Sequence, residues 1–191
     1  RGSIVAKEGK IFLGSDMVSL ESTTKRHYMY PYDPDYVEEM SHPDFDEHLD
    51  LAIHAGRATK EEVLEHVRGE ISLKSIRDPF KTVNYSAIYG VGVPKLSREG
   101  GFSRSEASTL LTTYWERNWS VKVIAKEQYV KTLKDGTMWL KNPVSGFYHS
   151  LRFEKDIFST LNQSTGVYCF DTWVAYCSAY DIEIVSQMHD E

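Results

Sequence analysis

Residue patterns that begin helices lie in the middle of this chain of 191 residues, whereas strand-like apolar runs lie near its two ends. Residues 11–13 (IFL) form one such run, and residues 182–191 (IEIVSQMHDE) form the other. Between them, residues 59–62 (TKEE) and 103–106 (SRSE) have the spacing of capping boxes, which begin helices. This order predicts an α+β fold, in which a small antiparallel sheet carries a mostly helical insertion.

Turn residues and caps set the limits of the other predicted elements. Pro79 is tolerated only in a first helical turn, so its helix is expected to run from about Asp78 to about Tyr89. Glycine-rich residues 90–101 predict a loop. The remaining predicted elements are a helix that begins near Phe45, helices at 103–117 and 120–133, a strand ribbon at 134–151 and a long, largely buried helix at 154–178.

Composition and charge limit the classes of protein to which the chain can belong. It is 41% apolar and 26% charged, as soluble globular proteins are, and its formal net charge is −6. That charge is not typical of a free-standing nucleic-acid binder, although basic surfaces can lie elsewhere in a larger protein. No apolar run reaches about 18 residues, so no membrane partner is expected. Cys169 and Cys177 suit reduced core thiols and a cytoplasmic location.

The segment RDPFKTVNYSAIYG, residues 77–90, places four functional side chains at intervals of four. On a helix, such residues lie along one face, where they form a stripe that consists of Arg77, Lys81, Tyr85 and Tyr89. The two cations suit phosphate groups, and the phenol rings suit a flat sugar or base. The alternative is an amphipathic helix with a basic first turn and an aromatic edge to the core.

Two aspartates follow the strand-like runs near the chain ends. Asp16 follows the first run and Asp190 lies at the end of the second, so both carboxylates can point at one spot if the two strands pair. Mg²⁺ takes such oxygen ligands together with substrate phosphates, and two ions can clamp an in-line phosphoryl displacement. The alternative is that each aspartate is a solvated turn residue.

Three blocks in this order resemble the motifs of family A DNA polymerases, the polymerase I-like enzymes of bacteria and phages. GSDMVSLE resembles the first palm motif, RDPFKTVNYSAIYG the fingers helix, and MHDE the second palm motif. DFDEH and LNQSTG resemble two further motifs, which contribute His48 and Gln163. The resemblance covers almost the whole chain and divides it into palm (1–44), fingers (45–134) and palm again (135–191).

The resemblance implies a role for each matched residue. Two Mg²⁺ ions would be held by Asp16, Asp190 and the backbone carbonyl of Met17, with Glu191 either a neighbour of that site or a spectator. The residues that would contact the deoxynucleoside triphosphate are Arg77, Lys81, His48, Tyr85 and Glu21, the last of which would exclude a ribonucleotide's 2′-hydroxyl. The residues that would contact primer-template DNA are Tyr89, Gly90 and Gln163.

The chain departs from the family pattern in sequence and in extent. Glu21-Ser22-Thr23 replaces Glu-Leu-Arg, and Ser159 replaces an Asn, both at positions of primer-template contact. The thumb, any exonuclease and the end of the palm are expected on missing segments or on a second polypeptide. The alternatives are a single-subunit phage-type RNA polymerase and a non-catalytic scaffold or complementing subunit of a replisome.

Overall fold

The computed structural model describes residues 5–11, 13–180 and 182–187. In chain order the helices are α1 (Leu20–Met29), α2 (Pro34–Ser41), α3 (Glu47–His54), α4 (Lys60–Val67), α5 (Lys74–Ile88), α6 (Val93–Gly100), α7 (Arg104–Arg117), α8 (Trp119–Glu127) and α9 (Ile157–Ala179). Between α8 and α9 lie strands β1 (Val130–Thr132), β2 (Met138–Lys141) and β3 (Tyr148–Leu151), followed by a 3-10 turn at Glu154–Asp156. The predicted α+β fold, mostly helical with a small antiparallel sheet, is confirmed.

Two helices begin with the capping boxes that the sequence predicts. Thr59 caps α4 and Ser103 caps α7, and in each case the glutamate three residues later accepts a hydrogen bond from the backbone N–H of the cap residue. These reciprocal bonds satisfy donors that a helix start leaves without partners. Both capping boxes are therefore confirmed.

The sheet is an antiparallel meander in the order β1-β2-β3. Val130 pairs with Leu140 across the first hairpin, and Leu140 pairs with His149 across the second. The turn between β1 and β2 is held by the Asp135 carboxylate, which accepts a hydrogen bond from the Thr137 backbone N–H at 3.0 Å. Leu140 is fully buried, so one face of the sheet packs on the core.

Buried side chains form two clusters. The first joins α3 to α5, α6 and α7 around Leu49, Val83 and Tyr114. The second joins α1, α2, α8, α9 and the sheet around Met29 and Leu161. The Trp115 ring packs against both clusters. The helix-rich middle of the chain thus has a core of its own, which we call the helical core. It lies beside the core that includes the sheet.

The two strands predicted near the chain ends are not formed in the described residues. Ile11 and Leu13 lie in irregular backbone and are highly exposed, and residues 182–187 are also irregular. Glu183 nevertheless joins the two segments through ion pairs with Lys7, at 3.6 Å, and with Lys10. The prediction was wrong for these strands because an apolar run forms a strand only where another strand supplies hydrogen bonds.

Four other predicted boundaries need correction. Helix α5 begins four residues earlier than predicted, so Pro79 lies inside it. The predicted loop at 90–101 contains α6, which starts with a proline in its first turn and ends at Gly101 in the left-handed conformation. Helix α8 ends at Glu127, and residues 130–132 form the unpredicted strand β1.

The long helix α9 is buried over its first half only. Its buried side chains end at Phe170, whereas Tyr176 further along is 65% exposed. The prediction of a largely buried helix is therefore wrong for its second half. No helix among the described residues is both long enough and apolar enough to cross a membrane.

Candidate functional site

A cleft of about 680 Å³ lies between α1, the start of α3 and α5. Its volume falls within the range of sites that enclose a small organic ligand. Six of the residues singled out in the sequence line it: Glu21, His48, Arg77, Lys81, Tyr85 and Tyr89. A second depression of about 420 Å³, between α6, α7 and α8, is lined by none of them.

Helix α5 and its C-cap residue, Tyr89, supply four of these six side chains because of their spacing. Phe80, Val83 and Ala87 are buried in the helical core, which fixes the rotation of α5 about its axis. Residues 77, 81, 85 and 89 then follow one another along a neighbouring stripe of the same helix. The stripe predicted from the sequence therefore lies along the cleft.

Arg77 is held at one end of the cleft by Asp46. The Arg77 Nε donates to Asp46 Oδ2 at 2.6 Å, and Asp46 Oδ1 also accepts from the backbone N–H groups of His48 and Leu49. Burial alone would raise the pKa of the Asp46 carboxyl, but the bonds from Arg77 and Leu49 outweigh it and lower that pKa. Asp46 thus caps α3 with one carboxylate oxygen and orients the Arg77 guanidinium with the other.

The His48 ring is buried and held by Asn84. Asn84 Nδ2 lies 3.2 Å from His48 Nδ1 and also 3.2 Å from the carbonyl oxygens of Glu47 and Phe80. Because carbonyl oxygens can only accept hydrogen bonds, the Asn84 side chain must turn its NH₂ group toward them. The same NH₂ group faces His48 Nδ1, so Nδ1 is an acceptor and carries no proton. Burial lowers the pKa of His48, so the ring is neutral near pH 7 and carries its proton on Nε2.

Tyr89 closes the other end of the stripe through a three-residue network. Its hydroxyl donates to Glu21 Oε1 at 3.1 Å and accepts from Gln163 Nε2 at 2.6 Å. Gln163 also reaches Glu21 Oε1 at 3.3 Å. Burial and the Glu21 carboxylate raise the pKa of Tyr89 to about 12. Gln163, predicted from α9, thus meets two cleft residues from α1 and α5.

Besides Arg77, the cleft is lined by three cations that differ in their surroundings. Arg26 donates to the Met40 carbonyl at 3.1 Å and to Thr23 Oγ1 at 3.1 Å. Lys25 is buried and lies 3.4 Å from Glu47 Oε2. Lys81 is exposed, forms no ion pair within the described part of the chain, and lies 5.8 Å from the centre of the Tyr85 ring. Lys81 is therefore the cation most available to an anionic ligand, with an aromatic ring beside it.

The wall of the cleft at α1 depends on residues that the sequence reasoning missed. Asn162 Nδ2 donates to the backbone carbonyl of Glu21 at 3.0 Å, and Thr24 Oγ1 donates to Asn162 Oδ1 at 2.7 Å. Asn162 and Thr165 are polar residues in the buried part of α9, which is the signal that could have found them. Lys25, Asp46 and Asn84 were also missed as cleft residues.

Gly90 follows the C-cap of α5 and has a φ of +68°. A Cβ at Gly90 would lie 3.1 Å from the Lys155 side chain. This left-handed residue ends α5 immediately after Tyr89.

The predicted metal site is only partly within the described residues. Asp16 is exposed and Met17 half-buried, and neither lines the cleft, although Ser19 does. Asp190 and Glu191 lie outside the described residues, as do the other residues of the MHDE block. Among the residues that are described, no group of three or more His, Cys, Asp and Glu side chains could hold a metal ion. The pairing of Asp16 with Asp190 therefore stays a prediction.

A scan against protein-family models matches no family, and no curated protein matches the chain significantly. The resemblance to family A DNA polymerases consequently rests on the motifs in the sequence.

Proposed function

We propose that this chain is the palm–fingers part of a DNA-templated DNA polymerase, which transfers a nucleotide to a primer 3′-hydroxyl. One observation carries the proposal. Six residues that the polymerase motifs assign to nucleotide and template contacts line a single cleft, although they come from α1, α3 and α5. An amphipathic helix alone would explain the α5 stripe but would not explain Glu21 and His48 beside it.

The phosphates of the nucleotide would lie against the basic part of the cleft. Lys81 supplies a cation, Arg77 supplies guanidinium N–H groups beyond the one bound to Asp46, and the neutral His48 ring supplies Nε2–H. The ionisable lining has four basic and three acidic side chains, apart from His48. Such a nearly neutral cleft binds a triphosphate well only when further cations accompany it.

Divalent cations would supply that charge. The proposed donors are the carboxylates of Asp16 and Asp190 and the Met17 carbonyl, an all-oxygen set of the kind that Mg²⁺ prefers. Bound there, Mg²⁺ would act as a Lewis acid on the primer hydroxyl and the phosphates. The chain's own part is to hold the nucleotide against this site through Lys81 and Arg77.

The sugar and base would occupy the aromatic end of the cleft. Tyr85 is 42% exposed and offers its ring. The Glu21 carboxylate lies at the same end of the cleft and accepts hydrogen bonds from the Tyr89 hydroxyl and the Gln163 amide. Because Glu21 is held on two sides, a 2′-hydroxyl in its place would displace a bonded carboxylate. This arrangement favours a deoxynucleotide over a ribonucleotide.

Primer extension tests the proposal directly. The chain would be mixed with a labelled primer-template, Mg²⁺ and the complementary deoxynucleotide, with the matching ribonucleotide in a parallel reaction. Asp190→Ala removes a proposed metal ligand and Lys81→Ala a phosphate contact. Lys74→Ala is the matched control, since Lys74 is exposed on α5 and does not line the cleft.

The outcomes distinguish three hypotheses: a DNA polymerase, an RNA polymerase and a non-catalytic replisome subunit. Extension with the deoxynucleotide that is lost in Asp190→Ala and Lys81→Ala, but kept in Lys74→Ala, supports the proposal. Preferential use of the ribonucleotide would favour the RNA polymerase instead. Failure to extend, together with failure to bind the nucleotide in the presence of Mg²⁺, would overturn the proposal and favour a non-catalytic replisome subunit.

A further inference from the structure

The outer face of the three-stranded sheet has an unusual composition. Leu140 points into the core, so its strand neighbours Trp139 and Lys141 point to the opposite face. The strand register places Lys141 opposite Tyr148, and the Lys141 N–H donates to the Tyr129 carbonyl at 3.1 Å. Lys141 therefore lies between two tyrosines in a row across the sheet.

A second row lies beside the first. Trp139 pairs with Lys131 on one side and with Ser150 on the other. Tyr129 is 60% exposed and Tyr148 is 46% exposed, and both lysines are exposed. Two exposed tyrosines, the half-buried Trp139 and two exposed lysines thus lie on the same side of the sheet, with no carboxylate among the residues of that side. We call this surface, residues 129, 131, 139, 141, 148 and 150, the aromatic–lysine face.

Charge distinguishes this region from the rest of the chain. Residues 129–152 contain three lysines and one arginine against one aspartate, a net charge of +3, whereas the whole chain carries −6. The aspartate is Asp135, whose carboxylate is bonded within the turn to Thr137. A basic patch with interleaved aromatic rings is the usual surface for stacking bases and contacting phosphates.

We propose that the aromatic–lysine face binds single-stranded DNA, with bases stacked on Tyr129, Trp139 and Tyr148 and phosphates held by Lys131 and Lys141. A duplex keeps its base faces inside its own stack, so only a single strand can use the three rings. The choice of DNA over RNA rests on the proposed function, because the template of that reaction is DNA.

Fluorescence anisotropy with a labelled oligo(dT) of roughly 12 nucleotides, without Mg²⁺ or nucleotides, tests the face alone. Trp139→Ala should weaken binding about 10-fold, and Trp139→Tyr should restore most of it, because a ring is restored. Trp119→Ala is the matched control, since Trp119 is 46% exposed on α8 and lies off the face. Thermal melting of each variant would show that the fold is intact.

Salt dependence gives a second readout that a structural defect would not reproduce. Replacing Lys131 and Lys141 together by alanine should reduce the slope of log affinity against log salt by about 1.4, because two phosphate contacts are lost. Replacing the exposed lysines 60 and 74 together, on α4 and α5, should leave that slope unchanged.

Several results would overturn the inference. They are no binding of oligo(dT), equal losses in Trp119→Ala and Trp139→Ala, equal competition by blunt duplex, or tighter binding of oligo(U) than of oligo(dT). A chain that extends a primer but fails these tests would leave the proposed function standing. Trp139-dependent binding of oligo(dT) by a chain that neither extends a primer nor binds the nucleotide with Mg²⁺ would support the face and overturn the proposed function alone.

Discussion

The Tyr89 hydroxyl donates a hydrogen bond to Glu21 Oε1 at 3.1 Å, although the two residues are 68 positions apart in the chain. Glu21 lies in the first turn of α1, Tyr89 is the C-cap residue of α5, and Gln163 on α9 completes the contact. Three segments that carry separate sequence motifs therefore meet at one phenol. This contact links the helix that packs in the helical core to helices of the core that contains the sheet. Substitution of Tyr89 therefore tests how the cleft is held together.

Tyr89→Phe should lower the free energy of unfolding by about 0.5–1.5 kcal/mol, because one hydrogen-bonded hydroxyl is lost. Denaturant titration measures this change. Tyr85→Phe is the control on the same helix face, since the Tyr85 hydroxyl forms no side-chain hydrogen bond within the described residues. Equal losses in the two variants would contradict a specific role for the Tyr89–Glu21 bond.

The ionisation of Tyr89 should occur well above that of an ordinary tyrosine. Its pKa is raised from 10.0 to about 12, so the folded state binds this proton more tightly than the unfolded state does. The stability that it contributes is fully present below pH 10 and is lost as the pH rises through 12. Tyrosinate absorbance of the wild type minus that of Tyr89→Phe measures the titration, and a midpoint near 10 would contradict the prediction.

Lys81→Ala should weaken binding of a deoxynucleoside triphosphate with Mg²⁺ by about 10-fold, which corresponds to roughly 1.4 kcal/mol. Its stability should be unchanged, because the side chain is exposed. Equilibrium binding of a fluorescent nucleotide measures the affinity, with Lys74→Ala as the matched control on α5. The prediction fails if the two lysine variants bind the nucleotide equally well.

His48 should make stability depend on pH in the weakly acidic range. Burial lowers its pKa below 6.5, so the unfolded state takes up a proton first as the pH falls. The contribution of His48 is present above pH 6.5 and is lost as the pH falls through the lower folded pKa. Denaturant titrations at several values between about pH 7 and pH 5 give the free energy of unfolding as a function of pH. The slope of that plot should be smaller for His48→Gln than for the wild type, and unchanged in the exposed-site control His27→Gln. Identical slopes in all three proteins would argue against the buried, neutral ring.

Gly90→Ala should cost about 1–2 kcal/mol of stability, because a residue with a Cβ is strained in the left-handed conformation. Gly56→Ala is the matched control: its φ is also +68°, but a Cβ there has nothing within 4 Å, whereas at Gly90 it meets Lys155. Because the Lys155 side chain is exposed and flexible, thermal or denaturant unfolding should give similar losses for both. No loss at Gly90 would contradict the left-handed end of α5.

The parts of the fold that the sequence predicted are those encoded over a few residues. The capping boxes at 59–62 and 103–106 and the stripe along α5 each depend on contacts within one or two helical turns. Pro79 shows the limit of such local rules, since α5 continues through it. There, packing of Phe80 and Val83 in the helical core outweighs the backbone hydrogen bond that proline lacks.

The sequence by itself determined the α+β class, the capped helices and the side chains that share one face of α5. Only the tertiary structure decided that Glu21 and His48 meet that face and that Asn84 holds the His48 ring. It also decided that residues 130–132 form a strand instead of the end of a helix, and that the described residues near the chain ends, Ile11, Leu13 and 182–187, form none. The physical reason is that helix hydrogen bonds join residues four apart, whereas a cleft or a sheet is built from contacts between residues far apart in the chain.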